Sequence, residues 1–320
     1  MPRKARITVA GAVHHVMSRG IEGNSIFRTD EDRWFLKNLL EKNLRKSGYI
    51  LYAWSFMPNH YHLVLRINTY PLGAFMRIVN GRYAQYFRKN EEKQGYLFQG
   101  RYKSIVSQDQ MYIEELIRYV HLNPIRGGIC KDVASLALYP WCGHAVLMGK
   151  AVWAFQNQRD ILRRYGKDKK SARKNYEAFL RAGLEKEPGI NSVLRDSANQ
   201  TESIHNTSCW VIGNKDFVQQ ALANEYAERI RISKYARQGI TVDKIARKVC
   251  SKLNVQHLDI KKKSRGNARS DARKIIAYLA NRHFQIPLIS VARYFNISSP
   301  SASKMVNLGE KLMDDLGLSY

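Results

Sequence analysis

Few cysteines, few acidic residues and no long apolar run bound this sequence before any motif is read. The four cysteines, Cys130, Cys142, Cys209 and Cys250, are scattered and include no Cys-x-x-Cys pair. That spacing argues against a structural zinc site and against a disulfide framework, and it suits a reducing cytoplasm. No apolar stretch approaches the roughly 18 residues of a membrane span, and Gly11, His14 and His15 interrupt the segment where a signal-peptide core would follow the basic N-terminus. A soluble, intracellular chain with no membrane partner is expected. Acidic residues are the main deficit: 27 Asp plus Glu face 53 Lys plus Arg, a formal charge of +26 over 320 residues that both halves share. Such an excess is more than solubility requires and points to nucleic acid as the partner. Hydrophobic residues at 44% and aromatics at 11% are enough for a real core, and the length leaves room for two domains.

Hydrophobic patterning predicts a strand over 12–18, then a loop to Arg28. A helix capped by Thr29 or Asp30 follows, with Trp34, Phe35, Leu39, Leu40 and Leu44 at helical spacing, ending near Gly48. Strands at 49–56 and 60–67 are joined by the tight Met57-Pro58-Asn59 connection, and a helix rich in Arg and Tyr spans about Leu72 to Arg88. A strand near 100–107 and a helix from about Asp109 to Asn123 complete a β-α-β-β-α-β order with one further helix. That order predicts an α+β fold, a ferredoxin-like antiparallel sheet with its helices on one face. Beyond it lie a basic cluster from Arg163 to Lys174, a helix near Asn175–Ala182 and a polar, linker-like stretch from Pro188 to Ser208. Several short helices follow from about Arg229.

Two histidines one residue apart, His60 and His62, carry the chemistry. On a strand they project from the same face about 6–7 Å apart, while Tyr61 points the other way. The pair reads as half of a divalent-metal site, or as two polar side chains on a solvent face. On the helix after Ser107, Ile113, Leu116, Ile117 and Val120 form the buried stripe, and Tyr119 and Asn123 lie one turn apart on another face. Pro124 is expected to end that helix at Asn123. An amide oxygen there can ligate a hard ion such as Mg²⁺ or Mn²⁺, and the neighbouring phenol could attack a phosphate held by it.

Four segments together resemble the HUH single-strand endonucleases of the single-tyrosine transposase type, most closely the REP-associated tyrosine transposases: His15–Gly20, Met57–Leu63, Phe98–Ser104 and Tyr119–Gly128. The similarity covers about residues 5–145, with Tyr61 standing where the family has a bulky aliphatic residue. It implies that His60 and His62 bind the ion, that Asn123 completes the protein ligands where insertion-sequence relatives have Gln, and that Tyr119 is the nucleophile. A 5′-phosphotyrosine and a free 3′-hydroxyl would result from cleavage at single-stranded hairpins, and no cofactor beyond Mg²⁺ or Mn²⁺ would be needed. The strand would be held by Arg19, Arg77, Arg82, Arg88, Arg101 and Lys103, with Tyr83, Tyr86 and Tyr102 available to stack on bases.

Residues from about 230 to 315 resemble the DNA-binding domain of the replication initiator DnaA. This implies a duplex-binding helix-turn-helix whose second helix begins near Ser299-Pro300 and enters the major groove. Arg265, Arg273, Ser299, Ser301 and Lys304 are its expected contacts, with serines replacing the family's basic recognition loop. The implied organisation is 1–147 for the endonuclease domain, 148–228 for a helical connector with a polar linker, and 229–320 for the helix-turn-helix domain. An enzyme at the nucleoid is expected; the alternative is a non-catalytic DNA-binding regulator that keeps the fold. Monomer and homodimer both remain open.

Overall fold

Strand β1 (Val13–Arg19) lies between β3 (His60–Arg66) and β4 (Lys103–Ser107) and is antiparallel to both, while β2 (Ile50–Met57) pairs antiparallel with β3 on its outer side. The four strands thus take the order β2-β3-β1-β4, that of the expected ferredoxin-like core. These coordinates are a computed structural model that describes residues 7–91, 95–108, 113–185, 202–206, 209–223, 239–262, 266–284 and 286–315. They fall into two units, Met1–Glu225 and Tyr226–Tyr320. Arg265 lies outside the described residues, as does the start of the helix expected from Asp109. Among the described residues no helix is long and apolar enough to cross a membrane.

Helix α1 (Asp30–Ser47) starts at Thr29, where the Asp32 carboxylate accepts from the backbone N–H of Arg28 at 2.8 Å and of Thr29 at 3.4 Å. It stops at Gly48, whose left-handed φ of 66° lets its N–H return to the Leu44 carbonyl. Leu36, Leu39, Leu40 and Leu44 are buried, whereas Trp34 is 51% exposed, off the expected stripe. Together with α2 (Leu72–Glu91), α1 covers the sheet face of Val16, Leu63 and Leu65. Helix α3 (Ile113–Arg126) covers the opposite face, its Ile113, Leu116, Ile117 and Val120 packing with Tyr52, Ala53 and Val64. The sheet is therefore sandwiched, and the expectation of helices on one face is corrected. The reason is alternation: β3 is apolar on both sides, with Leu63 and Leu65 on one face and Val64 on the other, so both need a cover. Helix α3 also continues past Asn123, with Pro124 inside its last turn. Only Ile125 and Arg126 follow in the helix before Gly127-Gly128, so the break that Pro124 makes in the backbone ladder falls at its end.

The described residues between 148 and 223 belong to the same unit. Helices α4 (Val133–Leu138), α5 (Gly143–Leu147), α6 (Gln158–Leu162) and α7 (Lys169–Ala182) pack Leu136, Leu147, Ile161, Tyr176 and Leu180 into the core beneath α3. Strand β5 (Glu202–Asn206), in the stretch expected to be linker, and β6 (Cys209–Gly213), just beyond it, extend the sheet, β6 running parallel to β4. In the second unit, the helices Val242–Lys252, Ala268–Tyr278, Leu288–Phe295 and Ser299–Asp315 enclose one core that includes Ile245, Ile276, Val291, Phe295 and Val306. A Cβ at Gly309 would collide with the Lys274 carbonyl, so glycine is what lets two of these helices cross closely.

Candidate active site

Cross-strand register builds the site from two strand ends. Arg19 of β1 pairs with His60 of β3, and Met17 pairs with both His62 of β3 and Lys103 of β4, so these side chains share the sheet face on which α3 lies. There they meet Tyr119 and Asn123 of α3 around a cavity of about 420 Å³, also lined by Gln99, Gly100 and Arg101. Edge-on contacts set the Tyr119 ring 5.8 Å from that of His62 and 5.6 Å from that of His15. Of the residues the sequence pointed to, His60, His62, Tyr119, Asn123, Arg19, Arg101 and Lys103 are brought together.

Hydrogen bonds fix how each histidine is presented. Nδ1 of His60 lies 2.6 Å from Oδ1 of Asn59, whose own amide nitrogen donates to the Gly23 carbonyl at 3.1 Å. An amide oxygen only accepts, so His60 carries its proton on Nδ1 and offers the Nε2 lone pair. Nδ1 of His62 lies 2.8 Å from Nε2 of His15, and the two rings stack with centroids 5.0 Å apart. This leaves Nε2 of His62 buried without a hydrogen-bond partner. Burial lowers the pKa of His60 to about 4, aided by Arg19, and lowers that of His15 likewise to about 4. Burial, with His15 and His60 adding to it, holds His62 well below its ordinary value. All three imidazoles are neutral at neutral pH, the state in which they ligate metals.

The donor set fits a divalent ion. His60 offers Nε2, His62 offers Nε2 in the tautomer in which its Nδ1 donates to His15, and the Asn123 amide, donating from Nδ2 to the Tyr119 carbonyl at 2.7 Å, keeps its oxygen available. Among the described residues no three His, Cys, Asp or Glu side chains cluster as ligands, so an amide or water oxygen would have to complete the set. Burial raises the Tyr119 pKa, opposed by the Arg126 charge and a hydrogen bond from Asn123, so the phenol is protonated at rest.

Other expectations separate from this cavity. Arg77 and Arg82 lie exposed on α2, outside it. Tyr83 is fully buried with its hydroxyl donating to the Ile26 carbonyl at 2.5 Å, Tyr102 is buried, and Tyr86 stacks on Phe35 at 3.7 Å, so none offers a ring face to a base. In the second unit Arg273 is also corrected. It is 6% exposed, donates to the carbonyls of Ile260, Lys261 and Lys262, and sits over the Phe295 ring, so its guanidinium is spent inside the fold. Ser301 and Lys304 are exposed and Ser299 partly so on the helix Ser299–Asp315, whose first turn is capped by Ser298 through the N–H of Ser301 at 3.3 Å. Sequence reasoning missed His15 as a partner of His62. The available signal was strand alternation, which puts His15, Met17 and Arg19 on one face of β1.

Comparison with known proteins adds the following. The family model described as "Transposase IS200 like" matches residues 8–123. No curated protein matches the chain. Among solved structures, a REP-associated tyrosine transposase bound to a REP hairpin is similar at 14% identity and a TM-score of 0.39, over 49% of this chain and 98% of that one. A putative transposase from Deinococcus radiodurans R1 is similar at 18% identity and a TM-score of 0.28, over 38% of this chain and 96% of that one. The segment from residue 8 to residue 123 is thus similar to the IS200-like transposases.

Proposed function

We propose that the first unit is a divalent-metal-dependent endonuclease and strand transferase that acts on single-stranded DNA through a tyrosine nucleophile. The observation that carries this reading is the convergence, in one basic cavity, of two imidazoles with available Nε2 atoms and a phenol one helical turn from an amide. His60, His62 and Asn123 would hold Mg²⁺ or Mn²⁺, which when bound polarises the oxygens of a scissile phosphate. Arg19, Arg101 and Lys103 draw the phosphate backbone into the cavity and balance its charge. The Tyr119 oxygen attacks phosphorus as the bond to the 3′-oxygen breaks, giving a 5′-phosphotyrosine and a 3′-hydroxyl. The phenol loses a proton and the 3′-oxygen gains one, so the step is neutral overall. Its reversal with another 3′-hydroxyl rejoins strands, because the phosphotyrosine retains the ester. Placement matters because a protonated phenol is a weak nucleophile, and the edge contacts with His15 and His62 hold its ring. Hairpins of repetitive extragenic palindromes are the proposed substrate, following the sequence similarity in Met57–Leu63 and Tyr119–Gly128.

The second unit is read as a duplex-binding helix-turn-helix that uses Ser299, Ser301 and Lys304 near the start of its last helix, which follows a turn with Asn296 in the left-handed region at φ 50°. The functional division is 1–147 for chemistry, 148–228 for its support and 229–320 for docking, at work on the nucleoid in the cytoplasm.

The test is incubation with labelled hairpin DNA and Mn²⁺ or Mg²⁺, then a denaturing gel. A covalent protein–DNA adduct that disappears in Tyr119→Phe is expected. No adduct with any such substrate, alongside retained binding, would favour a non-catalytic regulator.

A further inference from the structure

Three clefts of the first unit run into one another. The cavity at Tyr119 shares Gln99, Gly100 and Arg101 with a second cleft of about 590 Å³ between α2 and the segment 95–101. This in turn shares Arg88, Tyr96 and Leu97 with a third of about 310 Å³ that reaches Arg28 and Phe87. Among the described residues no carboxylate lines any of the three, whereas Arg19, Arg101 and Lys103, then Arg88, then Arg28 follow one another along them.

The middle cleft is bordered by glycine on both sides. A Cβ added at Gly81 or at Gly100 would meet nothing within 4 Å, so bare backbone borders open space there. Tyr96 stands at its edge 85% exposed, on a segment held to the end of β1 by the Ile21 N–H to the Leu97 carbonyl and the Gln99 N–H to the Arg19 carbonyl, both 2.9 Å. An exposed ring on an anchored backbone between cations has the chemistry that takes an unpaired base and its phosphates.

Resting on the reading of the Tyr119 cavity as the site of DNA cleavage, we infer that this track binds the single strand that ends in the released 3′-hydroxyl, with Tyr96 stacking on a base and Arg88 and Arg28 on the phosphates. The argument for that strand is chemical. After attack the downstream strand is tied to Tyr119 by an ester, but the strand bearing the 3′-hydroxyl is tied by nothing. Resealing requires that end to stay beside the phosphotyrosine, so a non-covalent track leading out of the cavity serves that strand. Gln99 to Tyr96 spans at most about 10 Å of extended chain, so the stacked base lies close to the reacting end.

The test is photocrosslinking of the full-length protein to a short oligothymidylate with a free 3′-hydroxyl, carrying iodouracil near its 3′ end or near its 5′ end, with adducts mapped by mass spectrometry. An adduct at Tyr96 from the 3′-proximal position is expected. In fluorescence anisotropy, Tyr96→Leu should weaken oligothymidylate binding about tenfold while Tyr96→Phe retains it. A Tyr96 adduct only from the 5′-proximal position overturns the strand assignment. Bound oligonucleotide with no Tyr96 adduct and no effect of Tyr96→Leu overturns the track itself. Failure of the protein to bind either oligothymidylate or hairpin DNA would instead remove the DNA-cleaving reading on which the track rests.

Discussion

His62 acts through a neighbour that its own motif does not contain. When its Nδ1 donates to Nε2 of His15, Nε2 of His62 is left as a lone pair, and neither ring has room to rotate because both are at most 4% exposed. Removing His15 frees the tautomer of His62 while leaving all three proposed ligands in place. His15→Ala is therefore expected to weaken Mn²⁺ binding about 10- to 100-fold by calorimetry, with the fold retained by circular dichroism. Unchanged Mn²⁺ affinity would show that His15 only fills space. His60 and His62 were legible in sequence because alternation alone puts them on one face. Their partner was not, because His15 is 47 residues from His62 and meets it only through the β1–β3 register. Arg273 shows the converse: a basic residue in a basic segment reads as a surface contact until the carbonyls of Ile260, Lys261 and Lys262 are seen to converge on it.

Helix α3 is held along its length by α7, which lies outside the family match. The Tyr176 hydroxyl meets Nδ1 of His121 at 2.5 Å, Arg118 sits over the Phe179 ring at 4.4 Å, and Arg126 donates to the Gly183 carbonyl at 3.1 Å. These contacts alternate along α3 with Tyr119 and Asn123, so α7 sets the pose of the face that carries those two residues from behind. Tyr176→Phe leaves the His121 nitrogen buried and unpaired, and should cost about 1–3 kcal/mol in denaturant unfolding. A loss below a few tenths of a kcal/mol would mean that the pairing does not hold the helix. The period of α3 was readable from Ile113, Leu116, Ile117 and Val120. Its cover was not, since α7 is basic and amphipathic and its partner face is chosen by tertiary packing. The same holds for β5 and β6, whose polar surroundings resemble a linker: β5 pairs with β6, and β6 joins the sheet by a non-local pairing with β4.

At the scale of the molecule, buried histidines make stability depend on pH. Burial lowers His14 and His144 to about 4, and both His121 and His62 lie well below the ordinary 6.5. Between about 6.5 and 4 the unfolded chain therefore holds more protons than the folded one, and stability falls as pH falls, on the order of 1.4 kcal/mol per pH unit for each such imidazole. The metal-free thermal midpoint should drop from pH 7 to pH 5, and His144→Leu should flatten that slope; a midpoint independent of pH would contradict the burial of these rings. The charge of +26 predicts that DNA affinity falls steeply with salt. The two units predict that removing residues 226–320 weakens duplex binding while cleavage of a short hairpin persists; loss of cleavage would mean that the second unit helps to build the site. The central claim is that Tyr119 becomes esterified to DNA. The most direct measurement is peptide mapping by mass spectrometry of the protein after reaction with hairpin DNA and Mn²⁺. A 5′-phosphonucleotide on the peptide containing Tyr119 is the predicted result, and an adduct on any other residue, or cleaved DNA with no adduct, would contradict it.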